Sequence, residues 1–149
     1  MERTQKDKPD MTTTAPLRVL ELTRTIPFGY CDPAGIIYTP RALDLCLEAI
    51  DDFWKALLDG KGWYEMNLDL DRGTPFVNVN IDFKSPITAR APLALVVRVT
   101  HVGTTSVVFE VSARQEERLC FVASLASVIV VKSRMAKVEP DDWLRRALD

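Results

Sequence analysis

Phe28-Gly29-Tyr30-Cys31-Asp32-Pro33-Ala34-Gly35-Ile36-Ile37-Tyr38-Thr39-Pro40 is the stretch from which the rest of the chain is read. Pro33 and Gly35 interrupt any regular element and force a tight loop. Thr39 then offers a side-chain oxygen where an N-cap belongs, and Pro40 follows at the first helical position. From Ala42 to Leu58 apolar residues recur at helical spacing: Leu43, Cys46, Leu47, Ile50, Phe53, Trp54 and Leu57. Arg41, Asp44, Glu48, Asp51, Asp52 and Lys55 fill the opposite face, and Gly60 and Gly62 can end the helix. A carboxylate, Asp32, is thereby held on a turn just ahead of a helix N-terminus. Unpaired N–H groups and partial positive charge gather at such an end.

Upstream of this loop, residues 1–15 are charged and then Thr-rich, with nothing to bury, and are expected to form a disordered tail ahead of a single domain over residues 16–149. Leu17 to Ile26 alternates as a strand does. Downstream, Lys61 to Gly73 reads as an irregular connection containing Trp63, Tyr64 and Met66, and a loop of that length is expected to cover something. Val77, Val79, Ile81 and Phe83 alternate with Asn78, Asn80 and Asp82, the pattern of a half-buried strand ended by Pro86. Leu93 to Val102 follows, with a turn at Gly103-Thr104 into Ser106 to Arg114. Gln115-Glu116-Glu117 turns into Leu119 to Val131, apolar on both faces and so expected to be covered on both sides. Glu139-Pro140-Asp141-Asp142 opens a short helix through Leu148. Five antiparallel strands with one apolar face and one long helix to cover it make an α+β domain.

The composition of the 149 residues, 47% hydrophobic and 27% charged with a formal net charge of −2, is that of an ordinary soluble globular protein. It gives no reason to expect nucleic acid or an anionic membrane as partner. No apolar run is long enough to span a membrane, and the first ten residues lack the apolar segment of a secretory signal. Cys31, Cys46 and Cys120 are odd in number and lack metal-ligand spacing, so they read as reduced thiols of a cytoplasmic protein. No activating base is marked beside Cys31, which reads as a small buried hydrophobe. His101 is the only histidine and falls in phase with Leu95, Val97 and Val99, which points to a core or interface position. Asp44, Glu48, Asp51 and Asp52 read as the solvated or interface face of the helix.

The loop from Phe28 to Tyr38, with its aspartate ahead of Pro33-Ala34-Gly35 and the apolar run after it, resembles that of the hot-dog fold acyl-CoA thioesterases, specifically the 4-hydroxybenzoyl-CoA thioesterase family. Arg24 upstream, Thr74-Pro75-Phe76-Val77 at the second strand and Gly103 extend the similarity over roughly residues 17–146. The resemblance implies a hot-dog fold, an antiparallel five-stranded sheet wrapped around one long central helix. Protomers would pair through their sheets, and the dimers would pair again. It also implies hydrolysis of an aromatic (benzoyl or hydroxybenzoyl-like) or short-chain acyl-CoA to free acid and CoA. Asp32 aligns with the family's catalytic aspartate, as nucleophile or general base. The backbone N–H groups of Tyr38 and Thr39 align with the donors that polarise the thioester carbonyl; Pro40 has none to give. Gly35, Trp63, Thr74, Asn80 and Arg90 are the expected substrate-binding positions. For Thr74 and Asn80 an interface network explains the residues as well as a pocket wall does, and Trp63 can equally be packing under its loop.

Coenzyme A arrives as part of the substrate, and no metal or redox cofactor is expected. Two features depart from the family pattern. The turn Val102-Gly103-Thr104-Thr105-Ser106 is uncharged where members often hold the CoA phosphates, which leaves Lys84, Arg90, Arg118 or Lys132 for that task. Leu47 and Glu48 both lie where an acidic group would meet a phenolic hydroxyl. The alternative readings are a non-catalytic hot-dog ligand-binding protein and a thioesterase acting on acyl-carrier-protein thioesters.

Overall fold

The longest element is α1 (Thr39–Leu57), whose buried residues Ala42, Leu45, Cys46, Ala49, Ile50, Phe53 and Trp54 form one stripe at helical spacing. The computed structural model describes residues 18–148, so the tail expected over residues 1–15 lies outside the described residues. Leu43, Leu47 and Leu57, read as part of the same stripe, are only partly buried on its flanks. The helix also starts differently from the expectation. Tyr38 is the N-cap in extended conformation, with no side-chain cap, and Thr39 is already helical with Pro40 second. The Tyr38 carbonyl accepts the Arg41 N–H at 2.8 Å, so the backbone closes the first turn without the Thr39 hydroxyl.

In chain order, β1 (Arg18–Arg24) and α1 are followed by a six-residue helix, α2 (Trp63–Leu68), and a two-residue strand, β2 (Arg72–Gly73). Then come β3 (Phe76–Phe83), β4 (Leu93–Val102), β5 (Ser106–Gln115), β6 (Arg118–Val128), β7 (Val130–Val131), β8 (Ala136–Lys137) and α3 (Asp142–Leu148). The main sheet has the order β1-β4-β5-β6-β3, antiparallel throughout, and α1 lies on its middle against β4 and β5. This is the hot-dog arrangement. The centre of the core is an aromatic cluster in which Phe53, Trp54 and Phe109 meet edge to face at 5.5–5.9 Å between ring centroids. Arg24, at the end of β1, pairs with the Asp52 carboxylate of α1 and ties the helix to the first strand.

Four expectations are corrected. The connection before β3 is not irregular: α2 occupies it, and the Glu65 carboxylate accepts the Gly62 N–H at 2.9 Å to close its start. The last long strand does not run through to Val131. It breaks at Ile129, and β7 leaves to form a second sheet, β2-β7-β8. Of the two positions expected for His101, the core is ruled out: the residue is exposed, because a bulge between Val99 and His101 in the β4–β5 ladder reverses the alternation. β3 is an edge strand whose apolar residues are not covered: Val77, Val79 and Phe83 are 63%, 42% and 45% exposed. Val79 and Phe83 stand opposite Leu125 and Phe121 of β6, on the face that carries α1, but the helix does not reach that far out.

Candidate active site

The loop ahead of α1 is braced at almost every amide. Tyr30 and Cys31 donate their N–H groups to Pro27 and Phe28, closing a single 3-10 turn over Phe28–Tyr30. The Asp32 N–H donates to the Ile36 carbonyl and the Gly35 N–H to the Asp32 carbonyl, each at 2.9 Å. Cys31 and Ile37 face each other in a lone antiparallel bridge. Gly35 carries φ +79°, the left-handed conformation that lets the loop reverse, so a side chain there would be strained. The Arg41 guanidinium sits 4.7 Å over the Tyr30 ring and pairs with Asp44, holding the first helical turn against the loop.

Within this frame the Asp32 carboxylate is half-buried, and one of its oxygens accepts the Ala34 N–H at 2.8 Å. That Asx turn fixes the carboxylate's orientation and leaves the second oxygen without a partner among the described residues. The two expected donor amides fare differently. The Tyr38 N–H is already given to the Tyr30 carbonyl at 2.8 Å, so the expectation that it polarises a substrate is corrected: the bond that holds the loop shut consumes it. The Thr39 N–H has no acceptor among the described residues. No acidic side chain lies in the first turn of α1, so the positive end of the helix dipole is not neutralised there.

Two cavities matter. A cavity of about 330 Å³, at the helix start, is lined by Ile36, Ile37, Thr39, Phe83, Lys84 and Ile87 among others. A larger one, about 400 Å³, is lined by Leu47, Trp63, Asn67, Thr74, Phe76, Val130, Lys132 and Met135 among others. Trp63 and Thr74 meet in its wall, where the indole N–H donates to the Thr74 hydroxyl at 2.9 Å. The structure therefore brings together Asp32, Gly35, Tyr38 and Thr39 on the loop, and Trp63 with Thr74 in the larger cavity, without joining the two groups in one protomer. Asn80 and Arg90 line neither cavity. Asn80 is exposed on the sheet face opposite α1, across from Ser124, and Arg90 stands exposed in the turn after Ile87.

Sequence reading missed Gln115, which it took for a turn residue. Its side chain is 1% exposed. The amide oxygen accepts the Thr88 N–H, and the amide nitrogen donates to the Thr88 and Ala91 carbonyls at 2.8 and 2.7 Å. The segment it pins includes Ile87, whose carbonyl accepts the Ile37 N–H at 2.8 Å, just ahead of Thr39. Of the thiols, Cys46 and Cys120 are buried and Cys31 is half-buried; burial pushes the Cys46 thiol up to about 12, which keeps it protonated and unreactive.

A curated 1,4-dihydroxy-2-naphthoyl-CoA hydrolase of Acaryochloris marina (strain MBIC 11017) is 35% identical to this chain over 65 residues, 43% of the chain and 45% of that hydrolase's length. A thioesterase superfamily structure from Jannaschia sp. CCS1 superposes with a TM-score of 0.85 at 34% identity, over 93% of this chain and 96% of that one. The 4-hydroxybenzoyl-CoA thioesterase of Pseudomonas sp. strain CBS-3 shares the fold, with a TM-score of 0.76 at 22% identity over 86% and 98% of the two chains. Residues 26–148, from just before the Asp32 loop to the last helix, match the model of the thioesterase-like superfamily, and it is to that superfamily that the chain belongs.

Proposed function

We propose that this chain hydrolyses acyl-CoA thioesters, with an aromatic, benzoyl- or hydroxybenzoyl-like, or short-chain acyl group. The observation that carries the reading is the loop itself. Its bracing leaves two groups uncommitted among the described residues, one Asp32 oxygen and the Thr39 N–H, and they flank the start of the same helix. Thioester hydrolysis calls for that pair, a nucleophile or base and a donor for the oxyanion that develops on the carbonyl oxygen. In the proposed reaction the Thr39 N–H and the helix end polarise the thioester carbonyl. The free Asp32 oxygen then attacks the carbonyl carbon or deprotonates the water that does, and the CoA thiolate leaves. The chemistry uses protein groups and water alone.

The working unit in this reading is a homodimer, with dimers able to pair again, in the cytoplasm, where the free thiols Cys46 and Cys120 stay reduced. Support comes from β3, an unpaired edge with exposed Val77, Val79 and Phe83, which natural proteins cover or blunt. Two-fold antiparallel pairing of β3 with its copy sets the Phe76 end of one strand beside the Phe83 end of the other. Phe76 lines the larger cavity and Phe83 the smaller, so pairing joins the larger cavity of one protomer to the helix-end cavity of its partner. In one protomer these ends lie about 24 Å apart along the eight-residue strand, too far for one acyl group to use both. Trp63 and Thr74 then wall the site that the partner's Asp32 serves.

Asp32→Asn tests the reading, since it keeps the Asx turn and removes the charge. Hydrolysis of a panel of benzoyl, hydroxybenzoyl, phenylacetyl and aliphatic CoA thioesters should fall by roughly 100- to 10,000-fold in kcat. Undiminished turnover on the panel would show that Asp32 does not catalyse it.

A further inference from the structure

The short helix α2 has little of its own to hold it in place. Six helical residues are marginal in water, and Met66 is the one residue that α2 buries fully. Its placement nevertheless shapes the larger cavity, because Trp63 and Asn67 both turn into that wall. The two side chains are tied together. The Trp63 indole donates to the Thr74 hydroxyl, and the Asn67 amide nitrogen donates to the Trp63 carbonyl at 2.8 Å. The Trp63 ring also meets Phe76 edge to face at 5.9 Å between centroids. Any shift of α2 therefore reaches the cavity through Trp63.

The Trp63 backbone is held from outside that cavity. Its N–H, the first donor of α2 without a helical partner, is given to the Asp51 carboxylate of α1 at 2.7 Å. The other oxygen of the same carboxylate pairs with Lys55, one turn further along α1, at 2.8 Å. Both oxygens are thus in use, and the half-buried side chain has one orientation. Gly62 shows how closely the two helices are joined: a Cβ there would collide with the Asp51 oxygen that takes the Trp63 N–H. Only glycine leaves room for the bond. Asp51 also stands one turn after Leu47, which lines the same cavity from α1. Read in the sequence as part of a solvated or interface face, Asp51 is the bolt between α1 and α2.

We propose that Asp51 is a positioning residue for the acyl group: through its bond to the Trp63 N–H it holds α2, and with it Trp63 and Asn67, where the cavity fits the acyl part of the substrate. This rests on the hydrolase reading above and deepens it, by naming what sets the acyl fit from behind the wall. Asp51 lines neither cavity. In its own protomer it lies twelve residues along α1 from Thr39, about 18 Å. Its loss therefore weakens the grip on the acyl group and leaves the Asp32 carboxylate and the Thr39 N–H as they are. Asparagine at this position keeps the accepting oxygen and gives up only the pair with Lys55. That pair is half-exposed, and such pairs contribute little.

The test is benzoyl-CoA hydrolysis by wild type, Asp51→Ala and Asp51→Asn, with free CoA as a competitive inhibitor and the Trp63 indole N–H followed by NMR. Trp63→Phe assigns that signal. Asp51→Ala should raise KM roughly 5- to 20-fold, the scale of one bond to a charged acceptor, with kcat within about twofold of wild type. The inhibition constant of CoA, which has no acyl group to seat, should stay as in wild type. Asp51→Asn should bring KM back to within about threefold. The indole signal should move in the alanine variant, as the bond to Thr74 loosens, and return in the asparagine variant. Gly62→Ala, which displaces the carboxylate from the other side, should reproduce Asp51→Ala, and it carries the comparison where that variant does not fold. An unchanged KM in Asp51→Ala would overturn the proposal. So would an asparagine variant as impaired as the alanine one, which would assign the effect to charge, or a CoA inhibition constant that rises with KM, which would assign it to general loosening. With a wild type that hydrolyses no thioester, an indole signal that moves with alanine and returns with asparagine would uphold Asp51's hold on the wall and sink the hydrolase reading alone.

Discussion

Gln115→Leu should loosen the floor under the Asp32 loop. Leucine matches glutamine closely in volume, so the substitution removes hydrogen bonds without leaving a large void. Three bonds are lost at once, those to the Thr88 N–H, the Thr88 carbonyl and the Ala91 carbonyl, and all are made by a side chain sealed from water. A buried partner left unsatisfied costs about 1–3 kcal/mol. Thr88 and Ala91 are themselves only half-buried, so water can replace part of what they lose. The expected destabilisation is therefore about 2–4 kcal/mol rather than the full sum. It should not stay local. The pinned segment contains Ile87, whose carbonyl holds the Ile37 N–H two residues ahead of Thr39. Urea unfolding gives the stability change, and amide hydrogen exchange at Ile37 reports whether the loop has been released. Ile37 exchange in the variant should be faster than global unfolding alone accounts for. A loss under about 0.5 kcal/mol, with Ile37 protected as in wild type, would show that Gln115 carries neither the segment nor the loop.

Two further outcomes follow from burial and edge exposure. Val79→Lys places a charge on the open edge of β3 and should convert the dimer proposed above to a monomer by light scattering, with circular dichroism retained; a dimer that persists would mean the protomers meet elsewhere. With its thiol pushed up to about 12, Cys46 should resist alkylation at neutral pH in the folded protein and react only on unfolding, and its labelling under native conditions, read by mass spectrometry, would contradict its place in the core.

What could be read from the chain depended on whether a local signal existed. The Asp32 loop and α1 were legible because Pro33, Gly35 and Pro40 punctuate the backbone and because the apolar stripe is long enough to show its period. The start of α1 was misread by one residue, since Thr39 looks like a cap but the Tyr38 carbonyl closes the turn. His101 kept the alternation of β4 on paper, and a bulge of one residue, invisible in a pattern of period two, turned it outward. The exposure of Val77, Val79 and Phe83 follows from strand order, and strand order is set by long-range pairing that no window of sequence contains. Val130 and Val131 continue the apolar run of β6 without a break in composition, so nothing marked the departure into a second sheet. Gln115 beside Glu116 and Glu117 looked like an ordinary polar turn, and only the return of the Thr88 segment makes it a buried anchor. At the candidate site, the carboxylate and the helix end were visible in the residues. Which amide is spare was decided by where the Tyr38 N–H goes.

Ile129 is a pivot whose importance is easily overlooked. Fully buried, it gives its N–H to Thr105 and takes that of Val138, so the strand is clamped on both sides at the very residue where it changes sheets. Past Val130 and Val131, which are still buried, residues 132–137 all face solvent, so substitutions there alter the surface and leave the interior packing as it is.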